Sequence, residues 1–264
     1  MKIYTLYSGS GGNSTYIDAA DTKILIDAGK NAKALTCALS AVGSDIKSIS
    51  AIFITHEHTD HISALEVISK KHSIPIHITS KSAQKIDRQK DSFASKHLVR
   101  HDDEFEEVVG GLTVRSFKTP HDSLMSVGYR IELCENGENI SIGVATDIGY
   151  VTKGICKSLE GCKAVVLESN HDEDMLKNGR YPYELKKRIL SNRGHLSNKS
   201  SAAFAAHLAE KGTKAFLLAH LSEENNTPDT ALDEYTSVIA DESVAFAVAS
   251  PDEPTKMPEY KGDT

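Results

Sequence analysis

The stretch Thr55-His56-Glu57-His58-Thr59-Asp60-His61 packs four candidate metal donors, His56, His58, Asp60 and His61, into six positions. It follows the apolar run Ala51-Ile52-Phe53-Ile54, which reads as a strand, and precedes Ile62, Leu65 and Ile68 at helical spacing. On an extended segment alternate side chains share a face, so His56, His58 and Asp60 point the same way. The turn into the helix then brings His61 beside Asp60. With only 12 histidines in the chain, a chance HxHxDH is improbable. The segment predicts a metal centre at a strand-to-helix junction.

Outward from it, other apolar runs end in residues of the same chemistry. KILI ends in Asp27, the run 112–120 in His121, and SIGVAT in Asp147; KAVVLES leads to Asn170-His171, and KAFLLA ends in His220. If these runs are neighbouring strands, their C-terminal ends converge on one sheet edge, where open sheets bind ligands. A catalytic zinc ion takes three protein ligands and a water. His56, His58, Asp60, His61, His121, Asp147 and His220 are therefore too many for one ion. Two divalent ions ~3.5–4 Å apart, with Asp147 bridging, would use them all. Asp27 fits better as a hydrogen-bond partner that orients a ligand histidine. With no cysteine in the set the site is hard, so manganese and iron compete with zinc.

The rest of the chain alternates short strands with amphipathic stretches. Strands are expected at 3–7, 14–17, 23–27, 51–55, 74–79, 112–119, 127–133, 139–146, 163–168, 214–219 and 244–249, with a turn at Asn136-Gly137. Helices are expected at 152–159, 183–190, 199–211 and 229–240. The reading is a single domain over 1–250 in layers of sheet and helix, with a poorly packed tail over 251–264. The formal charge of −7 argues against a generally basic, nucleic-acid-gripping surface. Lys186, Lys187, Arg188, Arg193 and Lys199 are a local exception, and no interleaved aromatics offer a stacking surface for single strands. The N-terminus turns polar by Ser8, too early for a signal peptide, and no apolar run reaches the ~20 residues of a membrane span. Cys37, Cys134, Cys156 and Cys162 are scattered and read as reduced thiols. A cytoplasmic protein without membrane partners is expected.

Taken in order, Asp27, the His56/His58/Asp60/His61 cluster, His121, Asp147 and His220 resemble the motif series of the metallo-β-lactamase fold. The resemblance runs from the first Gly-rich hairpin to His220 and implies an α/β architecture, an αββα four-layer sandwich with a dinuclear site at one edge of two sheets. SGSGGNS (8–14), TPHDS (119–123), ATDIGYV (145–151), ESNHD (168–172), YPYELKKRILSNRGHLSN (181–198) and AHLSEENNTP (219–228) are similar to the YycJ/WalJ subgroup. That subgroup is described as exonucleolytic and linked to DNA repair and cell-wall regulation, and is related in layout to ribonucleases Z and J. Neither the β-CASP insertion of ribonuclease J nor the exosite arm of ribonuclease Z is evident.

The resemblance implies a hydrolase in which a metal-bridged hydroxide attacks a phosphodiester. Asp147, Asp60 and His195 carry the catalytic expectations: Asp147 and Asp60 at the metals, His195 as proton donor to the leaving oxygen or as a phosphate contact. Ser10, Asn13, Asp27, His171, Ser197 and Asn225 are expected around the ligands or the substrate, with Ser222 and Asn226 beside the cleft. The SGSGGNS loop either offers backbone N–H groups to a phosphate or is only a hairpin turn. His72, His77, His97 and His101 lie outside any motif. The expected substrate is nucleic acid, DNA before RNA. The alternative is a small-molecule hydrolase of the same fold acting on a thioester, lactone or small phosphodiester. A binding protein without turnover is disfavoured by the full ligand set.

Overall fold

Strand periodicity explains how this chain divides its apolar residues among three cores. The computed structural model describes residues 1–88, 92–135 and 137–259. Its strands are β1 (Lys2–Tyr7), β2 (Ser14–Ala19), β3 (Thr22–Ile26), β4 (Ala51–Phe53), β5 (Ile76–Thr79), β6 (Leu98–His101), β7 (Glu106–Val109), β8 (Leu112–Lys118), β9 (Val127–Glu135), β10 (Glu138–Ala145), β11 (Ala164–Glu168), β12 (Ala215–Ala219), β13 (Ala245–Val248) and β14 (Thr255–Lys256). The α-helices are α1 (Ala32–Ala41), α2 (Thr59–Ile62), α3 (Leu65–Lys71), α4 (Ser80–Asp87), α5 (Lys153–Leu159), α6 (Glu173–Asn178), α7 (Tyr183–Ile189), α8 (Asn198–Glu210) and α9 (Pro228–Val238).

The strands form two sheets, ordered β14-β1-β2-β3-β4-β5-β6 and β13-β12-β11-β10-β9-β8-β7. Hairpins pair antiparallel, whereas β3 to β6 and β10 to β13 run parallel. Parallel strands covered on both faces must be apolar throughout, as AVVLE and AFLLA nearly are. Alternation then assigns the faces. Ile24, Ile26, Val166 and Leu217 meet between the sheets; Leu25 turns outward beneath α1 and α3, and Val165, Leu167, Phe216 and Leu218 turn outward beneath α5, α8 and α9. The result is the expected helix–sheet–sheet–helix sandwich.

Several local expectations need correction. The helix after the His cluster is two pieces, α2 and α3, joined through Ser63 and Ala64. Helices α1, α4 and α6 and strands β6 and β7 were not expected. Strands β6 and β7 are sheet edges, half exposed on both faces, and so lack the apolar signature of a buried strand. The stretch from Pro251 is better packed than expected. Strand β14 pairs with β1 (Tyr4 opposite Lys256, Thr5 opposite Thr255), and Met257 is buried in the inter-sheet core. Main-chain hydrogen bonding to an open sheet edge holds a segment whose composition alone suggests a loose end. Asn136 of the expected turn and residues 260–264 lie outside the described residues. All four cysteines are free, and no described helix is long and apolar enough to cross a membrane.

Candidate metal centre

The ends of β3, β4, β10, β11 and β12 meet along one rim of the sandwich, as the pattern of terminal donors requires. Three of the residues just past these strands are left-handed: Asp27 (φ 64), Asp147 (φ 58) and His220 (φ 58). This conformation is disfavoured for side chains with a Cβ. Here it ends each strand abruptly and turns a polar side chain into the space between the sheets. Gly29 serves the same junction by having no side chain: a Cβ there would lie 2.0 Å from the Asp60 carbonyl and 2.3 Å from Asn13 N. The first hairpin, the segment after β3 and the His cluster can meet only at a glycine.

The buried imidazoles are each gripped from outside. His61 Nδ1–H donates to Asp27 Oδ2 at 2.8 Å, and Asp27 is itself fixed by Thr55 N–H and Thr55 Oγ1–H, both at 2.8 Å. His56 Nδ1 faces Thr55 Oγ1 at 3.0 Å, His121 Nδ1 the Gly194 carbonyl at 3.2 Å, and His220 Nδ1 Glu168 Oε1 at 3.1 Å. Carboxylate and carbonyl partners accept only, so they fix a proton on Nδ1 and direct Nε2 inward.

The inward atoms fall into two groups that share one carboxylate. His56, His58 and His121 gather on one side; Asp60, His61 and His220 gather on the other. Asp147 lies between, with Oδ1 3.7 Å from His121 Nε2 and 3.6 Å from His220 Nε2, and Oδ2 3.5 Å from His61 Nε2. Asp147 Oδ2, His56 Nε2 and His220 Nε2 are buried without a hydrogen-bond partner. Orphaned buried polar atoms are costly. Three of them converging within one all-nitrogen-and-oxygen donor set fit divalent cations, and hard ones as well as zinc.

Electrostatics agree. Burial works against ionisation of Asp147, but His220, His61 and His56 outweigh it and hold the carboxyl well below the usual range. Burial likewise opposes the charge on His220, yet Asp147, Asp60 and Glu168 push it up to about 10. Burial drives His56 well below the ordinary imidazole value and lowers His121. Without cations the centre therefore combines ionised carboxylates with neutral His56 and His121 and with protonated His61 and His220, whose inward protons an arriving cation would displace.

Glu168 is the residue the sequence reading passed over. Fully buried at the end of β11, its carboxylate accepts from His195 Nδ1–H (2.8 Å), His220 Nδ1–H (3.1 Å) and the backbone N–H groups of Asp147, Ile148 and Leu196. The signal was present, because an acid that ends an otherwise apolar buried strand must have partners. Glu57, inside the motif, turns away: it accepts from Ser82 Oγ–H at 2.6 Å and Leu124 N–H at 2.8 Å and braces the loop.

The remaining expected residues divide. Asn13 Nδ2–H reaches Asp60 Oδ2 at 3.2 Å, and the neighbouring Ser8 Oγ accepts from His220 N–H at 2.7 Å. The SGSGGNS loop is thus a hairpin turn that also buttresses two donors. Ser10, His195, Arg188 and Ser222 line a cavity of about 290 Å³ over the centre. Ser197 does not reach it; its hydroxyl caps α8 by accepting from Ser200 N–H. Asn225 and Asn226 are buried in the loop network behind it, and His171 opens on a neighbouring cavity. The expected basic footprint is largely engaged. Lys186 caps the Lys177 and Gly179 carbonyls, Arg188 pairs with Asp122, and Arg193 reaches the His121 and Ser123 carbonyls.

Residues 22–221 match the model of the β-lactamase superfamily domain. The chain belongs to that superfamily. It is 33% identical to exodeoxyribonuclease YycJ of Bacillus anthracis over 269 residues, covering 98% of this chain and 97% of that protein. It is 34% identical to exodeoxyribonuclease WalJ of Streptococcus pneumoniae over 240 residues, covering 88% and 85%. The metallo-β-lactamase-fold protein YhfI of Bacillus subtilis superposes with a TM-score of 0.72 at 17% identity, covering 97% and 98% of the two chains. This chain is therefore a metallo-β-lactamase-fold hydrolase similar along most of its length to YycJ and WalJ.

Proposed function

We propose that this hydrolase is a phosphodiesterase that shortens nucleic acid from its ends, with DNA as the expected polymer and two divalent ions, zinc or manganese with iron as a further candidate, as cofactors. Similarity to YycJ and WalJ along nearly the whole chain is the observation that carries the polymer reading. His56, His58 and His121 would hold one ion and Asp60, His61 and His220 the other, with Asp147 shared. Cations held there supply Lewis acidity, neutralise charge on a phosphoryl oxygen and activate water at neutral pH.

The chain's own residues then have separable tasks. Asp60, more exposed than Asp147, accepts a hydrogen bond from the attacking water, and Asp147 fixes the line of approach. His195 stands 3.8 Å from Asp147 Oδ1 through Nδ1, which donates to Glu168. That bond holds a proton on Nδ1 and turns Nε2 to the leaving oxygen, where the doubly protonated ring, its charge compensated by Glu168, would act as proton donor or phosphate contact. Arg188 at the cavity wall, paired with Asp122, would meet the incoming phosphate by exchanging that partner.

One observation favours the second reading, a small-molecule hydrolase. The cavity of about 290 Å³ suits a compact ester, and most nearby cations are already engaged. The deciding assay offers end-labelled single- and double-stranded DNA and RNA to protein reconstituted with Mn²⁺ or Zn²⁺. Stepwise shortening of DNA that Asp147→Ala abolishes is expected. Turnover of a small thioester or phosphodiester with no polymer cleaved would reverse the substrate assignment.

A further inference from the structure

His195 stands between two cavities. One lies over the metal centre; the other, of about 630 Å³, opens between the loop after β10, the first turns of α8 and the segment that leads into α6. Their chemistry differs. The second has no cation free to meet a phosphate: its His207 is bonded to Glu160, and Glu173 sets a carboxylate beside Ser197 at the start of α8. An anionic group entering here would meet Glu173 and find no compensating charge.

Its walls are instead apolar and aromatic. Tyr150 is 48% exposed and Leu190 50% exposed, with Val151 and Phe204 beside them. Large apolar side chains left open next to a hydrolytic centre suggest a ligand that covers them. His171, on the wall of this cavity, also carries a buried polar atom without a partner. Asn170 Nδ2–H donates to the His220 carbonyl at 2.8 Å, which turns Asn170 Oδ1 toward His171 Nδ1 at 3.3 Å. That oxygen can only accept, so His171 carries its proton on Nδ1. Its Nε2 is a bare acceptor, buried and unbonded.

We infer that this second cavity takes a nucleobase of the substrate strand, on the nucleotide adjoining the scissile phosphate, held against Tyr150 and Leu190 with an N–H edge donated to His171 Nε2. A base is flat, uncharged, apolar on its faces and furnished with N–H donors at its edge, the combination these walls ask for. The inference rests on the nucleic-acid reading above. It divides the site at His195, with phosphate on the metal side and base on the other.

The test compares an intact oligonucleotide with one carrying abasic residues at its last two positions, for each end in turn. Metal-loaded wild type is expected to favour the intact strand by roughly tenfold in kcat/KM, the scale of one base-stacking contact. Ala203→Trp, which fills the cavity from an exposed position on α8, is expected to remove that preference. In chelator-treated protein, a terminal 2-aminopurine should be quenched by wild type and not by Ala203→Trp or Tyr150→Ala. Equal wild-type rates on both strands, absence of quenching, or a preference that survives Ala203→Trp would overturn the base pocket while leaving the nuclease reading intact. Failure of wild type to cut either strand would instead overturn the nuclease reading and this inference together.

Discussion

Glu168 shows how much a single buried carboxylate can organise. Its two oxygens accept five N–H groups, from His195, His220, Asp147, Ile148 and Leu196. Glu168→Gln replaces one acceptor oxygen by an amide donor, so at least two N–H groups lose their acceptor whichever way the amide turns. Each unpaired donor costs roughly 1–3 kcal/mol. The variant should melt earlier and lose activity together. His195→Ala separates the two effects, because His195 lies outside the two histidine-rich trios that flank Asp147, and its Nδ1, which clusters with Asp147, Glu168 and His220, is engaged by Glu168. Metal content by elemental analysis should match wild type while turnover falls by roughly 10²–10⁴-fold. Loss of metal in His195→Ala would make it a ligand instead, and unchanged rates would leave it a loop histidine.

Between elements, a line of four rings ties the two sheets at their β6 and β7 edges. Phe53 of β4 stacks on His77 of β5 (4.5 Å, 17°), and His101 at the end of β6 stacks on Phe105, just before β7 (3.8 Å, 8°). His77 Nδ1 and His101 Nε2 share a hydrogen bond at 3.0 Å, with Glu107 Oε2 3.8 Å from His77. Burial, and then the neighbouring His101, lower His77 from 6.5 to about 4. Burial also lowers His101, against the pull of Glu107 and Asp102. The sign follows from proton binding. Between about 6.5 and about 4 the unfolded chain takes up a proton at position 77 that the folded one refuses, so stability falls as pH falls through that window. His77→Phe keeps a ring in the stack and removes the titration. Denaturant unfolding at several pH values should give the variant a shallower loss of stability toward acid than wild type. Parallel profiles would refute the assignment.

At the scale of the molecule, three separate apolar clusters hold the sandwich, and the donor centre lies outside all of them at the rim. Folding should therefore survive removal of cations, although ions that bind only the folded chain raise its melting temperature by mass action. Chelator-treated protein is expected to keep its far-ultraviolet circular dichroism and melt lower. Zn²⁺ or Mn²⁺ should restore the melting temperature in wild type but not in Asp147→Ala. Unfolding on chelation would mean that the rim cluster is structural, and no shift at all would mean that the cluster does not take up these ions.

The sequence by itself determined the layered fold and singled out the seven candidate donors that meet at its rim. Both follow from local rules: period-two alternation sorts residues between core and helix layers, and a polar residue ending an apolar strand is visible without its neighbours. It also placed Asp27 behind a candidate donor, and Asp27 meets His61. Only the tertiary structure decided what depends on neighbours distant along the chain. Ser197 and Asn225 look alike as cleft residues in their motifs, yet Ser197 caps α8 on the wall of the second cavity and Asn225 is buried behind the first. Glu168 looks like the end of a strand and proves to hold His195 and His220. The edge strands β6, β7 and β14 carry little apolar signal because half of their surface faces water; their pairing comes from main-chain hydrogen bonds, which any sequence can make.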